Sequence, residues 1–203
     1  MDRLRDLKFI LPLCLLLGCD EAPKGPAPAR FQSVKQDTAQ VKAAESFCER
    51  VFPKSGEGAR AWKAPPEVAL PRPSPGPKGP EQGWTWVNLW ATWCGPCVAE
   101  MPLLDRWRET LNQEGIPLRF ELWSVDTDGA ALEKALAHSY PGRIRWLRGE
   151  ADLAGFLESL GVDQNSAIPI HALVDPQGNL RCVRVGSVGE GSYGTIKALL
   201  QPG

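Results

Sequence analysis

Two cysteines separated by two residues, in Trp93-Cys94-Gly95-Pro96-Cys97, form the part of this sequence best suited to chemistry. The residues that follow read as a helix, and a helix start carries unpaired N–H groups and the positive end of the macrodipole. A sulfur held there ionises more readily, and the thiolate is the form that attacks a disulfide. The second sulfur is close enough to attack the mixed disulfide that the first would form. The pentapeptide therefore describes reversible two-electron exchange with a partner's disulfide.

The same spacing is also half of a structural zinc site, which needs four ligands. The other cysteines, Cys14, Cys19, Cys48 and Cys182, contain no second pair at that spacing. The histidines, His138 and His171, lack the His-x₃₋₅-His pattern. A redox pair is the favoured reading, and neither a metal nor a cofactor is expected. A non-catalytic module that uses the thiols as metal ligands is the rival from another class, with His138 and His171 as further ligands only by elimination.

The elements around the pair follow from composition and periodicity. The chain has 203 residues, is 43% hydrophobic and carries a formal charge of −1, which allows a buried core and gives no basic run for nucleic acid. Arg3, Arg5 and Lys8 precede an apolar run over 9–17. That run is too short to cross a hydrocarbon core, which takes about 20 helical residues, so 1–18 reads as a signal peptide. It ends in Leu16-Leu17-Gly18-Cys19, which resembles a bacterial lipobox and makes Cys19 the expected lipidation site. Residues 19–33 then form a proline-rich tether from the bilayer, and the domain is expected outside the cytoplasm, on the periplasmic face in a Gram-negative cell.

Residues 34–83 read as an N-terminal extension: a helix within 34–52, ending before Pro53, and then a proline-rich stretch over 64–83 that wraps or links. From 84 the pattern becomes regular. Strands are predicted over 84–90, 118–125, 143–147, 170–174 and 180–185, with helices over 97–113, 130–138, 152–160 and 191–200. Pro102 is expected to kink the first of these helices. The order β-α-β-α-β-α-β-β-α marks an α/β domain over 84–203, with the cysteine pair at the end of its first strand, where open α/β sheets place their sites.

This order and three stretches resemble the thioredoxin fold, and more closely the extracytoplasmic TlpA/ResA-like thiol–disulfide oxidoreductases. The stretches are the run from Val87 through the cysteine pair to Pro102, then Ser124-Val125-Asp126, and Ala167-Ile168-Pro169-Ile170 with Leu173-Val174-Asp175-Pro176-Gln177-Gly178. The resemblance implies a central mixed β-sheet flanked by helices. It implies that Cys94 is the exposed nucleophile, Cys97 the buried resolving thiol, and Pro169 a cis-proline facing them. Trp93, Gly95, Pro96, Ile168 and Pro169 would meet the substrate. Glu100 would take the proton of Cys97. Asn88 stands where thioredoxin has a buried aspartate, and an amide cannot relay protons as a carboxylate does. The usual hairpin ahead of the first core strand is hard to find among the prolines. His171, in a predicted buried strand, reads as structural, and His138 as a surface residue.

With Cys14 lost with the signal and Cys19 lipidated, Cys48 and Cys182 remain, and an oxidising compartment allows them to pair. The implied function is reduction of disulfides in exported proteins, among them apocytochrome c, with electrons from a membrane partner. The Gly-Pro dipeptide motivates that direction, because thioredoxin shares it and lies near −270 mV, against about −120 mV for the oxidant DsbA. An oxidase or isomerase on the same fold is the alternative.

Overall fold

The computed structural model of the chain describes residues 38, 41–77 and 79–201. The signal peptide, Cys19 and the tether lie outside the described residues. A helix, α1, is described over 41–47. It is followed by β1 (Arg50–Val51), β2 (Arg60–Ala61), β3 (Trp84–Trp90), α2 (Gly95–Gln113), β4 (Leu118–Ser124), α3 (Gly129–Ala135), β5 (Arg143–Trp146), α4 (Glu150–Leu160), β6 (Ile170–Val174), β7 (Asn179–Val185) and α5 (Tyr193–Leu200), the last preceded by a 3₁₀ turn, Glu190–Ser192.

One mixed sheet runs through the domain in the order β1-β7-β6-β3-β4-β5, with β2 also paired to β7. β3 is central, parallel to β4 and antiparallel to β6. Its aromatic and β-branched sequence suits that place, because it is covered on both faces. Trp86 and Trp90 pack on one face with Leu104, Trp107 and Leu111 of α2. Val87 and Leu89 pack on the other with Phe156, Leu157 and Leu160 of α4. Each fully buried side chain of this size contributes roughly 1.5–3 kcal/mol, so the two faces together fix β3 and, with it, the turn that follows. A mixed sheet with helices on both faces and the cysteine pair after its central strand is the thioredoxin-like architecture that the resemblance implies.

Two expectations need correction, and one choice between alternatives is decided. The N-terminal helix does not continue to 52: it stops at 47, and the chain extends into β1 and β2, which both pair antiparallel with β7. These two-residue strands are the pairing that the sequence obscured, because neither is long enough to show a period of two. Of the two readings of the proline-rich stretch, wrapping is the one that holds: it is bound along the sheet edge. Val68 N donates to Trp146 O at 2.9 Å, Ile144 N donates to Ser74 Oγ at 2.9 Å, and Glu67 pairs with Arg145. β5 is the edge strand, and this segment occupies polar groups that would otherwise be open to another chain. The approach is close: a Cβ on Gly76 would lie 1.6 Å from Gly142 O. Finally, α3 ends at Ala135, short of the predicted 138, while α2 begins at Gly95 and runs on through Pro102.

Cys48 and Cys182 are joined, with Cα atoms 5.4 Å apart and 134 residues between them in sequence. Around this bond, Glu49 N donates to Val183 O at 2.8 Å and Arg184 Nη1 to Phe47 O at 3.1 Å. At the other end, Glu114 accepts from Tyr193 Oη and Lys197 Nζ, each at 2.9 Å, tying α5 to the end of α2. Those bonds, first from Lys197 and then from Tyr193, hold the Glu114 carboxyl below its ordinary range. Burial and Glu114 push the Tyr193 phenol up to about 12.

A crosslink closing so long a loop is worth up to about 5 kcal/mol by the chain-entropy argument, and removal of such bonds typically costs about 2–5 kcal/mol. The variant Cys48→Ala/Cys182→Ala should lose stability in that range in urea unfolding of the otherwise oxidised protein. An unchanged midpoint would show that α1 and β1 are held by their hydrogen bonds alone.

Candidate functional site

The turn from β3 into α2 sets the geometry of the cysteine pair. Cys94 is the N-cap of α2, and Gly95 and Pro96 form its first turn, where the missing proline N–H costs nothing. Cys97 N donates to Cys94 Sγ at 3.3 Å, so the N-cap sulfur receives one of the helix's unpaired donors. The two sulfurs are bonded to each other, with Cα atoms 5.3 Å apart. Cys94 keeps only 5% exposure and Cys97 has none. Cys94 is thus less open than the resemblance implies, and it is the more exposed of the two. Trp93, 69% exposed, stands beside it with exposed Gly95, Pro96 and Val98.

The facing wall comes from the segment before β6. Ile168–Pro169 is a cis peptide bond, and the Ile168 carbonyl oxygen lies 3.8 Å from Cys94 Sγ. Pro169 is buried, and its own carbonyl accepts from Gly186 N at 2.8 Å. A half-buried Ile168 and an exposed Trp93 therefore flank one sulfur.

Beneath the pair, Glu100 lies one helical turn beyond Cys97 on the same side of α2. Its side chain is only 2% exposed. A carboxylate cannot sit there without partners. Oε1 accepts from Asn88 Nδ2 at 3.0 Å and Oε2 from Val188 N at 3.0 Å. His171 Nε2 lies 3.4 Å from Oε1. Asn88 and His171 are register partners on β3 and β6. The central strand pair therefore carries both side chains to the carboxylate of α2.

A second buried carboxylate, Asp126, holds the turn itself. It accepts from Thr92 N at 3.1 and 3.0 Å, from Thr92 Oγ1 at 2.6 Å and from Ser124 Oγ at 2.7 Å. Thr92 immediately precedes Trp93, so Asp126 anchors the loop that presents Trp93 and Cys94. Its position in the matching stretch Ser124-Val125-Asp126 was the only sequence signal for it. The nearby Tyr140 phenol is pushed up, first by burial and then by the charge of Asp126. Trp90 is fully buried against Tyr140, and His138 is exposed. Among the described residues no three His, Cys, Asp or Glu side chains converge as metal ligands, and no helix is long and apolar enough to cross a membrane.

No protein-family model matches the chain. Over 46 residues it is 39% identical to the thiol-disulfide oxidoreductase ResA of Oceanobacillus iheyensis, a match that spans 23% of this chain and 22% of that protein. The chain thus aligns with less than a quarter of that relative's length. Among solved structures, it is similar to a thioredoxin-related protein from Neisseria meningitidis serogroup B, with 26% identity and a TM-score of 0.48 over 59% of this chain and 86% of that one. It is also similar to the thioredoxin domain of a thiol-disulfide oxidoreductase from Bacteroides vulgatus, with 21% identity and a TM-score of 0.47 over 60% of this chain and 81% of that one.

Replacing Asp126 by alanine would leave Thr92 N and two hydroxyls without their acceptor, at about 1–3 kcal/mol for each group that stays buried. Asp126→Ala should therefore lose about 3 kcal/mol in urea unfolding at neutral pH. A loss below about 0.5 kcal/mol would show that the turn is held by other contacts.

Proposed function

We propose that this chain is a thiol–disulfide oxidoreductase that works through Cys94 and Cys97. The observation that carries the reading is the pairing of one reachable sulfur at a helix N-terminus with one fully buried sulfur above a buried carboxylate. In the reduced protein the Cys94 thiolate attacks a partner's disulfide, forming the Cys94–partner bond and releasing one partner thiolate. Cys97 then gives up its proton to Glu100 and attacks Cys94 Sγ. The second partner thiolate leaves, so the partner gains two electrons and Cys94–Cys97 is oxidised. The exposed Trp93 and the Ile168 carbonyl support the incoming chain.

The lipobox and tether motivate placement of the domain outside the cytoplasm on a Cys19 lipid anchor, with exported proteins as substrates and a membrane donor as the source of electrons. The reducing direction rests on the Gly-Pro dipeptide between the cysteines. A measured potential near −270 mV supports it, and one near −120 mV replaces it with the oxidase reading. Stoichiometric copper binding without reductase activity would favour the metal-binding module.

Insulin reduction with dithiothreitol tests the activity. The wild-type protein should accelerate precipitation, and Cys94→Ser should fall to the uncatalysed rate; equal turbidity curves would reject Cys94 as the nucleophile. Trp93→Ala tests the recognition surface. An exposed side chain contributes within about 0.5 kcal/mol to stability, so this variant should unfold like the wild type. It should slow reduction of insulin and leave reaction with the small disulfide dithiobis(nitrobenzoate) unchanged; equal losses on both would place Trp93 in the chemistry.

A further inference from the structure

His171 is buried at 1% exposure, in β6, two residues after the cis-proline. Its surroundings determine which ring nitrogen carries the proton. Trp86 Nε1, which can only donate, lies 3.1 Å from Nδ1. Asn88 Nδ2 lies 3.1 Å from the same Nδ1 and 3.0 Å from Glu100 Oε1. The amide thus has one hydrogen for each neighbour. If it were reversed, its oxygen would face the carboxylate. Two donors on Nδ1 leave that nitrogen as an acceptor, so the ring proton sits on Nε2. Nε2 is buried without a hydrogen-bond partner, and Glu100 Oε1 lies 3.4 Å from it.

The other charged group facing the ring is Arg184, opposite His171 in the β6–β7 register. Its guanidinium donates to Phe47 O and Ser187 O. From β3 come only Trp86 and Asn88, and from the loop after β7 the Val188 N–H. From α2 come Glu100 and, in the same buried cluster, Cys97. A second positive charge on the ring would require breaking the Trp86 bond and would stand across from Arg184.

We propose that His171 is a positioning residue for the resolving step: its Nε2–H, 3.4 Å from Glu100 Oε1 and without a hydrogen-bond partner in the Cys94–Cys97 disulfide form, closes on that oxygen when the pair is reduced and orients the carboxylate toward the Cys97 proton. This rests on the reading of Glu100 as the proton acceptor. Trp86 and Asn88 hold the ring's tautomer from behind, and the cross-strand pairing of β3 with β6 sets its reach.

The resolving step can be watched directly. Reduced protein treated with dithiobis(nitrobenzoate) forms a Cys94 mixed disulfide and releases one thionitrobenzoate. Attack by Cys97 then closes the Cys94–Cys97 bond and releases the second, whose rate is followed by absorbance across pH. Loss of one N–H donor from a buried carboxylate raises the pH at which it can accept a proton by about one unit. His171→Leu should therefore move the rising limb of the second phase up by about one unit. His171→Gln, whose amide nitrogen reaches the Nε2 position, should restore the wild-type limb to within a few tenths. Should His171→Leu fail to fold, His171→Asn carries the test, because its shorter amide satisfies Trp86 and leaves the Nε2 position empty; it should shift as leucine does. In a Glu100→Gln background the limb should move up to that of an unassisted thiol, and the His171 substitutions should add no further shift. An unmoved limb in His171→Leu or His171→Asn, with Glu100→Gln still moving it, overturns the role of His171 alone. A limb that Glu100→Gln leaves unmoved overturns the reading of Glu100 beneath it.

Discussion

The arrangement depends on one constraint: a carboxylate one helical turn beyond Cys97 is buried in the core, so it has to be met by donors from the elements around it. Asn88 donates from the central strand and Val188 from the loop after β7, and His171 Nε2, on the antiparallel neighbour, stands 3.4 Å away. An error of one residue in the β3–β6 register would turn Asn88 or His171 to the opposite face. The polar cluster and the sheet register are therefore mutually dependent, and the same register brings the Ile168 carbonyl over Cys94.

The remainder of the fold serves to hold that register. β3 is buried on both faces and paired on both edges, so the turn that leaves it starts from a fixed point. Asp126 pins the turn through Thr92, and the Cys94 N-cap sets the first turn of α2. The N-terminal extension secures the far side of the sheet, with Cys48–Cys182 and the short β1 and β2 pairings holding β7, which in turn borders β6. The proline-rich segment covers the other edge along β5. A chain segment with few N–H donors is well suited to an edge, where one side has no ladder to complete.

Much of this could be read from the sequence because the signals were local. Strong aromatic and β-branched runs marked β3 and β4, Asp175-Pro176-Gln177-Gly178 marked the β6–β7 hairpin, and the cysteine spacing marked the site. What escaped was non-local. Two-residue strands have no periodicity, so β1 and β2 became visible only through their pairing with β7. His171 read as structural because a histidine in a buried strand gives no sign of its partner across the sheet; Trp86, Asn88 and Glu100 reach it only once β3, β6 and α2 are assembled. Asp126 was legible as part of a matching stretch and not as the acceptor of Thr92 for the same reason.

The proposed chemistry rests on a division of labour between the two sulfurs, one slightly exposed and one enclosed. Brief treatment of the fully reduced protein with limiting iodoacetamide at neutral pH, followed by peptide mass mapping, tests it most directly. Thiolate character and access both favour the N-cap sulfur, so Cys94 should be alkylated at least about ten times faster than Cys97. Equal labelling of the two, or faster labelling of Cys97, would contradict the assignment of attack to Cys94 and resolution to Cys97.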